Sequence, residues 1–461
     1  MVNGSKKRIL VLITNSFAAI NVLHSGVIQK MAEKYEVFLL STLIKQQEID
    51  QINQYFNIRV HIVNLEIPSE NVVLRFFRQL EKWSFFHFFH IETQKIKTST
   101  RRNNFKKLLH PLVFLMNVSG LNRIMLIYIR KMIIYQTSYS RSLKILDHFH
   151  FAGVISTSPL DIRENNVVNF LKTRKVSSMA MVISWDNLTS KGIINADHQY
   201  ILVWNQFMAD EYRRFYAIFK SQDRQIRITG IPRFDIYFQS ELEKTASNFR
   251  LRFKIPPNNK VILFATSAFK HFPDQALIIN DLVEYTRRRV NITVMIRCHP
   301  ADQIDRYRSF ISEKSIIIWH PENLPGAADE IFNNWMPPPD FLKTLSITMK
   351  NCEVCVQVAS TIRLDAAACN KPVISIAYDG PRVLPYSKSV KRFYDYSHQL
   401  PLNRVKMDQM VYNKQQLFDS LDKTLNEGCD ADYRSLVKPF IHNLEPKSVD
   451  SVMQNIHEWL R

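Results

Sequence analysis

Short apolar runs alternate with helix-like stretches along most of the chain. A loop over Thr14–Ile20 and a helix near Val22–Lys34 follow the first run, which is the βαβ start of a parallel sheet. The runs of the N-terminal half predict six strands: Ile9–Ile13, Val37–Leu40, Gly153–Thr157, Met179–Ser184, Tyr200–Trp204 and Ile226–Thr229. This pattern predicts an open α/β unit.

A second series of the same kind follows a polar, helix-like bridge at Glu241–Arg252. It predicts five strands: Val261–Ala265, Ile292–Ile296, Ile316–Trp319, Val354–Val358 and Val373–Ile376. Helices are expected between them, near Asp274–Arg289, Phe341–Lys350 and Ile362–Cys369. We therefore expect an α/β protein of two Rossmann-like domains that face each other, with ligands at the carboxyl ends of the strands.

The predicted domain boundaries follow from these two series. Residues 1–235 form the N-terminal domain, 236–259 a linker and 260–449 the C-terminal domain. Apolar residues at helical spacing predict a helix over 450–461, which we expect to cross back to the first domain.

The composition is that of a folded chain with more than one domain. It has 461 residues, of which 46% are hydrophobic and 22% charged, close to the average of soluble proteins. Only nine residues are glycine, and none belongs to a G-x-G-x-x-G or Walker A loop. The five cysteines are an odd number without a disulfide framework, which fits a reducing cytosol.

The chain is strongly basic, with a formal net charge of +19. Residues 72–150 contain 14 Lys and Arg against three acidic residues, interleaved with Trp83 and several Phe pairs. This composition is typical of a segment that lies on an anionic membrane. The alternative is a helical insertion that packs on the sheet. A non-enzyme alternative, suggested by the charge and the aromatic residues, is a nucleic-acid-binding protein.

The strongest chemical signal is the sequence from Val358 to Ile374. A buried strand ends at Ser360 and Thr361, a helix begins there, and Asp365 follows one turn later. Free N–H groups and the two hydroxyls at a helix start favour a diphosphate, and the Asp365 carboxylate suits ribose hydroxyls. The alternative is an ordinary Ser/Thr N-cap with an acidic first turn.

Two other elements of the same unit support a nucleotide site. Arg297 and His299 stand at the end of a strand, where both side chains suit a phosphate. Trp335, in an aromatic, Pro-rich loop, is predicted to form one wall of a pocket for a nucleotide base. The alternative for His299 is a structural role.

The N-terminal unit offers a candidate general base. Asp186 and Lys191 follow a strand directly, and Arg233 follows the last strand of this unit. A carboxylate removes a proton from an acceptor hydroxyl, and a cation stabilises the leaving diphosphate. The alternatives are His24 as the base, or a Trp-anchored turn in which Asp186 bonds to backbone groups.

We predict no metal site. The Cys352-x-x-Cys355 pair lacks a second pair of ligands and runs into an apolar strand, which favours buried cysteines over zinc.

His-Pro after a strand, the aromatic-Pro-Asp loop and Ser-Thr-x3-Asp-Ala with Pro-Val-Ile behind it resemble the donor half of GT-B glycosyltransferases. The resemblance is specific for bacterial surface-polysaccharide transferases related to the CDP-glycerol glycerophosphotransferases, and it covers roughly residues 261–379. It implies donor contacts for His299, Ser360, Thr361 and Asp365.

We therefore expect a glycosyltransferase, inverting and metal-independent, that needs no cofactor beyond its nucleotide-activated donor. The expected acceptor is a surface glycan or a lipid-linked molecule, and the expected location is the inner face of the plasma membrane, without a nucleic-acid partner. The alternatives are transfer of a polyol phosphate from a CDP-linked donor and 2-epimerisation of a sugar nucleotide.

Overall fold

A computed structural model describes residues 6–68, 70–100, 104–219, 224–239, 246–320, 334–428 and 431–461. The chain forms two compact units. Unit 1 comprises Met1–Arg233 with Lys447–Arg461, and unit 2 comprises Phe234–Pro446. Each unit has a parallel sheet with helices packed on it, so the predicted α/β fold is confirmed.

The sheet of unit 1 has seven parallel strands in the order β3-β2-β1-β4-β5-β6-β7. Their bounds are β1 Arg8–Ile13, β2 Glu36–Ser41, β3 Val60–Ile62, β4 Gly153–Ser156, β5 Ser177–Met181, β6 Tyr200–Val203 and β7 Gln225–Ile228. Leu10 of β1 pairs with Phe38 on one side and with Val154 on the other, so β1 is central. The six predicted strands are present. β3 was not expected, because its three residues are too few for a visible pattern.

The expectation of a loop over Thr14–Ile20 is wrong, because the chain is helical directly after β1. Asn15 caps helix α1, Ser16–Ala18, by accepting a hydrogen bond from the Ala18 N–H. A π-helical turn, Ala19–Leu23, continues it. Gly26, with φ +98°, separates this turn from helix α2, Val27–Lys34. π-Helical turns are rare in proteins as a whole, and those that occur are often at functional sites.

Among its described residues, the basic segment 72–150 contains four α-helices. They are α4 Val72–Phe88, α5 Glu92–Thr100, α6 Asn104–Val118 and α7 Asn122–Thr137, and helix α3, Gln46–Phe56, precedes them. The inner faces of α4, α6 and α7 share an apolar cluster that includes Leu80, Met116 and Ile133. The buried Arg130 of α7 donates hydrogen bonds to the carbonyls of Ile194 and Ala196, which ties α7 to the loop before β6.

The aromatic residues of α4 do not form an outer face. Phe85 is fully buried, and Phe86 is 4% and Phe89 9% exposed. Trp83 packs against the apolar cluster of α4, α6 and α7. The expectation that Phe85, Phe86 and Phe89 contact a membrane is therefore wrong, since they fill the space between α4 and its neighbours.

The remaining helices of unit 1 cover its sheet. They are α8 Ile162–Lys172, α9 Asn187–Ser190, α10 Gln206–Tyr216 and the C-terminal helix α18, Ser448–Trp459. Helix α18 lies against β4, where a Cβ on Gly153 would come within 2.4 Å of the Trp459 ring. No described helix is long and apolar enough to cross a membrane.

The sheet of unit 2 has six parallel strands in the order β10-β9-β8-β11-β12-β13. They are β8 Lys260–Ala265, β9 Ile292–Arg297, β10 Ile316–Trp319, β11 Val354–Gln357, β12 Val373–Ile376 and β13 Gln409–Val411. Five were predicted, and only the three-residue β13 was missed. The helices are α11 Ala246–Arg252, α12 Ala276–Arg287, α13 Phe341–Lys350, α14 Ile362–Ala368, α15 Gln399–Arg404, α16 Lys414–Glu427 and α17 Tyr433–Ile441. The predicted burial of Cys352 and Cys355 is confirmed.

Candidate functional site

Three neighbouring strands of unit 2 end in polar residues. β8 lies between β9 and β11, so the segments after these strands lie side by side at the carboxyl edge of the sheet. They contribute Thr266 after β8, His299 after β9 and Ser360 after β11. The topology therefore brings His299 and Ser360, both predicted from sequence, to one edge, which is where open α/β sheets bind ligands.

His299 is held in one neutral form. Its Nδ1 accepts a hydrogen bond from the Ala301 N–H at 3.0 Å, so the ring proton is on Nε2. Burial, reinforced by the positive charge of Arg297, lowers the pKa of His299 to about 3. At neutral pH the side chain is thus a hydrogen-bond donor through Nε2 and carries no charge.

Asp302 holds the segments after β8 and β9 together. Its carboxylate accepts hydrogen bonds from Thr266 Oγ1 at 2.5 Å, Tyr307 OH at 2.7 Å and Gln275 Nε2 at 3.0 Å. Thr266 Oγ1 in turn accepts a hydrogen bond from the backbone N–H of His299 at 2.9 Å. Sequence reasoning missed Asp302, although a carboxylate three residues after a strand-end His is a visible signal.

The segment before helix α14 has an unusual backbone that side chains hold in place. Ala359 has φ +41°, in the left-handed region that residues other than glycine rarely adopt. Its N–H donates a hydrogen bond to Tyr394 OH at 3.1 Å, and its carbonyl accepts one from Gln399 Nε2 at 2.9 Å. The N–H of Ser360 donates to Gln357 Oε1 at 2.7 Å. The side chains thus fix the direction in which Ser360 and Thr361 leave the strand.

A buried ion pair is linked by hydrogen bonds to this segment. Arg363 of α14 is fully buried, and its Nη2 lies 2.8 Å from a carboxylate oxygen of Asp408, which is 3% exposed. Arg363 Nη1 donates hydrogen bonds to Gln399 Oε1 at 2.8 Å and Asn403 Oδ1 at 3.0 Å. Gln399 therefore joins the ion pair to the backbone of Ala359.

The structure corrects two of the predicted donor contacts. Asp365 is only 3% exposed, and its carboxylate accepts a hydrogen bond from the Tyr237 hydroxyl, so it is not open to a ribose. Trp335 is fully buried and packs edge-on against Phe341, so its ring has no surface for a base. Both residues lie in the interior beside the site, because the Asp365 carboxyl group bonds to Tyr237 and the Trp335 ring packs against Phe341, all within unit 2.

Arg297 lies close to this aromatic group. Its guanidinium is 5.3 Å from the centre of the Trp319 ring and 5.8 Å from that of Phe341, and the residue is 8% exposed. A cation within about 6 Å of an aromatic ring centre gains a favourable cation–π interaction. Contact of Arg297 with a phosphate stays a prediction.

In unit 1, Asp186 lies in a turn after β5. Its carboxylate accepts hydrogen bonds from Ser184 Oγ at 2.5 Å and Ser190 Oγ at 2.8 Å. Burial and the negative charge of Asp186 raise the pKa of Glu211, on helix α10, to about 8. Asp186 thus belongs to a pair of carboxyl groups, and the second member was not predicted.

The two predicted cations of unit 1 lie on different loops. Lys191 is exposed and directly follows helix α9, whereas Arg233 is half-buried in a 3-10 helix, Pro232–Phe238, after β7. The alternative base His24 is 7% exposed and contacts the Phe56 ring edge-on. The roles of Asp186, Lys191 and Arg233 stay predictions.

A third carboxyl group that sequence reasoning missed, after Asp302 and Glu211, lies where β1 and β4 meet. Glu164 is fully buried and accepts hydrogen bonds from Thr14 Oγ1, Ser156 Oγ and the Ser158 N–H at 2.7–2.8 Å. Burial, together with the nearby charge of Asp161, raises the pKa of Glu164 to about 8. Strand order reverses between β1 and β4, so Glu164 fixes the loops of the crevice at this point.

Among the residues that the structure describes, no group of three or more His, Cys, Asp or Glu side chains is placed to hold a metal ion.

Comparison with known proteins agrees with this architecture. The family model described as CDP-glycerol:poly(glycerophosphate) glycerophosphotransferase matches residues 169–322. The resemblance noted from sequence thus extends into unit 1, whereas Ser360, Thr361 and Asp365 lie beyond the matched stretch. No curated protein matches the chain.

Many solved structures are similar over nearly the whole chain. The UDP-GlcNAc 2-epimerase of Neisseria meningitidis, bound to UDP-GlcNAc, has 12% identity and a TM-score of 0.54, with 98% of this chain and 100% of that chain covered. A glycosyltransferase of Rickettsia africae has 10% identity and a TM-score of 0.51, covering 99% and 98%. A protein of Anabaena in complex with UDP and glucose has 9% identity and a TM-score of 0.51, covering 98% and 99%. The fold is GT-B. Two Rossmann-like units with a C-terminal helix that belongs to the first are its expected parts.

Proposed function

We propose that this protein is a glycosyltransferase that moves a sugar from a nucleotide-activated donor to a surface glycan or a lipid-linked acceptor. The observation that carries the proposal is the family match over residues 169–322, since it includes Asp186, Lys191, Arg233 and the strand-end residue His299 in a chain with a GT-B fold. The same match favours one second candidate, transfer of a polyol phosphate from a CDP-linked donor.

In this proposal the carboxyl edge of unit 2 binds the diphosphate of the donor. His299 donates a hydrogen bond from Nε2, and the hydroxyls of Ser360 and Thr361 donate two more. Hydrogen bonds to a charged group contribute about 1.5–3 kcal/mol each. Because Ala359 and its partners already fix this backbone, little conformational freedom is lost when the donor binds.

Unit 1 supplies the acceptor side. Asp186 removes the proton from the attacking hydroxyl, and Lys191 and Arg233 stabilise the charge that develops on the leaving diphosphate. Attack by the hydroxyl from the face opposite the leaving group inverts the anomeric carbon. This reaction needs no metal ion.

The nucleotide that is released distinguishes the candidate reactions. Glycosyl transfer breaks the bond between the sugar and the diphosphate, so a nucleoside diphosphate appears. Transfer of a polyol phosphate from a CDP-linked donor breaks the diphosphate itself, so CMP appears. Some of the similar solved structures are 2-epimerases. A 2-epimerase yields the epimeric sugar nucleotide without an acceptor.

The test is incubation of the protein with UDP-, GDP-, CMP- and CDP-linked donors, with a glycan acceptor present or absent, followed by analysis of the nucleotide. We expect acceptor-dependent release of a nucleoside diphosphate. His299→Ala should weaken donor binding by about tenfold or more, the loss of one hydrogen bond to a charged group. The exposed His148→Ala is the matched control. Release of CMP from a CDP-linked donor would establish the second candidate, whereas CMP released from a CMP-linked donor reports transfer of its sugar. No conversion of any donor would reject both.

The proposal places the reaction on the inner face of the plasma membrane, with an anionic membrane surface as a partner of residues 72–150. Of the basic residues in this segment, Arg101 and Arg102 lie outside the described residues, as do the side chains of Lys106 and Lys107.

A further inference from the structure

Helices α6 and α7 present large apolar side chains to solvent. On α6, Phe114 is 62%, Leu115 64% and Val118 70% exposed. Leu121, in the turn between the helices, is 50% exposed, and Ile124 of α7 is 51% exposed. We call these five residues the tip face. Monomeric proteins in water rarely leave so many large apolar residues exposed together, so the tip face indicates a contact.

The tip face is distinct from the faces that hold the helices in place. Val113 and Met116 of α6, with Ile129 and Ile133 of α7, are buried in the apolar cluster with α4. The exposed apolar residues are therefore not needed for packing within unit 1.

The exposed side of α7 continues as a stripe away from the tip. Ile124, Tyr128, Lys131 and Tyr135 are spaced by four, three and four residues, so they share one side of the helix, and all four are exposed. Tyr128 is 66% and Tyr135 68% exposed. With a rise of about 1.5 Å per residue, Tyr135 lies about 16 Å along the axis from Ile124. Apolar residues at one end and tyrosines beyond them suit a boundary between lipid and water.

The stretch of sequence that contains the tip face carries charge of one sign. Between Glu92 and Asp147 the sequence has no acidic residue. It has eleven basic residues there: Lys95, Lys97, Arg101, Arg102, Lys106, Lys107, Arg123, Arg130, Lys131, Arg141 and Lys144. Arg123 and Lys131 are exposed beside the apolar residues of α7, and Arg141 and Lys144 are exposed just beyond it. The complementary partner is anionic.

We propose that the tip face inserts into the headgroup region of an anionic lipid bilayer. The apolar side chains enter the boundary of the acyl chains, Tyr128 and Tyr135 lie at the level of the headgroups, and Arg123 and Lys131 contact lipid phosphates. This inference rests on the membrane contact of the proposed function, and it names the surface that makes the contact. It replaces Phe85, Phe86 and Phe89, which are buried.

Two other partners fit the surface less well. A second copy of the chain that used the same face would bring basic residues against basic residues without an acidic partner. A nucleic acid would satisfy the basic residues, and its bases could stack on Phe114, but Leu115, Val118 and Ile124 would stay in water, since neither phosphates nor stacked bases cover aliphatic side chains. Only a bilayer offers both the negative charge and the apolar phase.

The experiment is flotation of the full-length protein with vesicles of phosphatidylcholine, and with vesicles that also contain phosphatidylglycerol, at low and high salt. The tip variant replaces Phe114, Leu115 and Ile124 by Ser. Its matched control replaces three exposed apolar residues of unit 2, Val290, Ile311 and Val383, by Ser. The charge variant replaces Arg123, Lys131 and Lys144 by Gln, with Lys314, Lys388 and Lys423 replaced by Gln as its control.

We expect the unaltered protein to prefer the anionic vesicles and to retain some binding at high salt, because salt screens charges but not insertion. The tip variant should lose the salt-resistant part, a fall of about a hundredfold in the partition coefficient for three apolar side chains. The charge variant should lose the preference for phosphatidylglycerol. Both controls should bind like the unaltered protein. All variants change exposed residues, so an unchanged melting temperature verifies that each is folded.

Several outcomes would overturn the inference. These are a tip variant that binds as tightly as its control, or failure of the unaltered protein to float with either vesicle. Binding of RNA that is tighter than binding to vesicles and unaffected by the tip substitutions would also overturn it. A dimer that forms in the absence of vesicles and dissociates in the tip variant would overturn it as well. The assay uses neither donor nor acceptor, so its failure is distinct from failure of the proposed reaction.

Discussion

The buried ion pair between Arg363 and Asp408 makes a quantitative prediction about unit 2. The two charges are 2.8 Å apart, and their side chains are 0% and 3% exposed. At an effective dielectric constant of about 20 their attraction is about 6 kcal/mol, which offsets the cost of removing both from water. Asp408→Asn leaves the Arg363 charge buried without a counter-charge. We expect a loss of about 3–5 kcal/mol in the free energy of unfolding of unit 2.

The assay is urea unfolding, followed by thermal unfolding, of the single and double variants. The double variant Arg363→Met with Asp408→Asn removes both charges and should recover much of the lost stability. The control is Asp305→Asn, which breaks the exposed pair with Arg308, also 2.8 Å apart but with both side chains 75% exposed. That change should cost less than about 1 kcal/mol.

The same variants report on the candidate donor site. Arg363 holds Gln399, and Gln399 donates to the carbonyl of Ala359 at 2.9 Å. Loss of Arg363 therefore frees the segment that carries Ser360, and donor affinity should fall even in the stable double variant. Calorimetric titration with the donor found above measures it. The reasoning fails if Asp408→Asn costs no more than Asp305→Asn, or if the double variant is less stable than the single one.

Four other outcomes follow from the structure. Ala359→Gly should leave unit 2 as stable or up to about 1 kcal/mol more stable, because glycine adopts φ +41° without strain, and a clear loss in urea unfolding would contradict this. The pKa of Glu164 is raised from 4.5 to about 8, so its contribution to stability is complete below pH 4.5 and is lost as the pH rises to 8; Glu164→Gln should abolish this decline, measured as melting temperature against pH. Turnover should survive EDTA, and restoration by magnesium of an activity lost in EDTA would refute it. Asp186→Asn should lower kcat with little effect on donor affinity, whereas an unchanged kcat would remove Asp186 as the base.

The sequence was sufficient to predict the longer strands and to predict that ligands bind at the carboxyl ends of the strands. Long buried strands such as β1 and β8 consist of apolar residues throughout, and this signal does not depend on distant contacts. The three-residue strands β3 and β13 were missed, since pairing with β2 and β12 defines them. The helical turn after β1 was missed for a related reason, because a capping Asn followed by a π-helical turn has no regular period.

The candidate site was only partly predictable, because side chains distant in sequence complete it. Tyr394 and Gln399 hold Ala359 from 35 and 40 residues away, and neither has a local pattern that marks it. From the sequence, Asp365 in the first turn of a helix and Trp335 in a loop were both expected to be accessible. Their burial depends on Tyr237 and Phe341, whose positions only the tertiary structure defines.

The two units fix the loop after their first strand with similar residues. In each sheet the first strand of the unit is central, and a threonine follows it directly: Thr14 after β1 and Thr266 after β8. Each hydroxyl donates to a buried carboxyl group, that of Glu164 or of Asp302. Glu164 comes from the helix after the fourth strand of its unit, whereas Asp302 comes from the loop after the second strand.

We call each of these hydrogen-bonded pairs, a threonine after the first strand and a buried carboxyl group, a clamp. The two clamps account for the scarcity of glycine at positions where nucleotide-binding sheets often use it. A glycine-rich loop lets the backbone approach a phosphate by removing side chains. Here each strand-end loop is instead fixed by a hydroxyl and a carboxylate, and burial raises the pKa of both Glu164 and Asp302. In unit 2, Thr266 also accepts the backbone N–H of His299, so the clamp orients the residue proposed to contact the donor. The clamp, rather than glycine, thus fixes the geometry of the edge that we propose binds the phosphates of the donor.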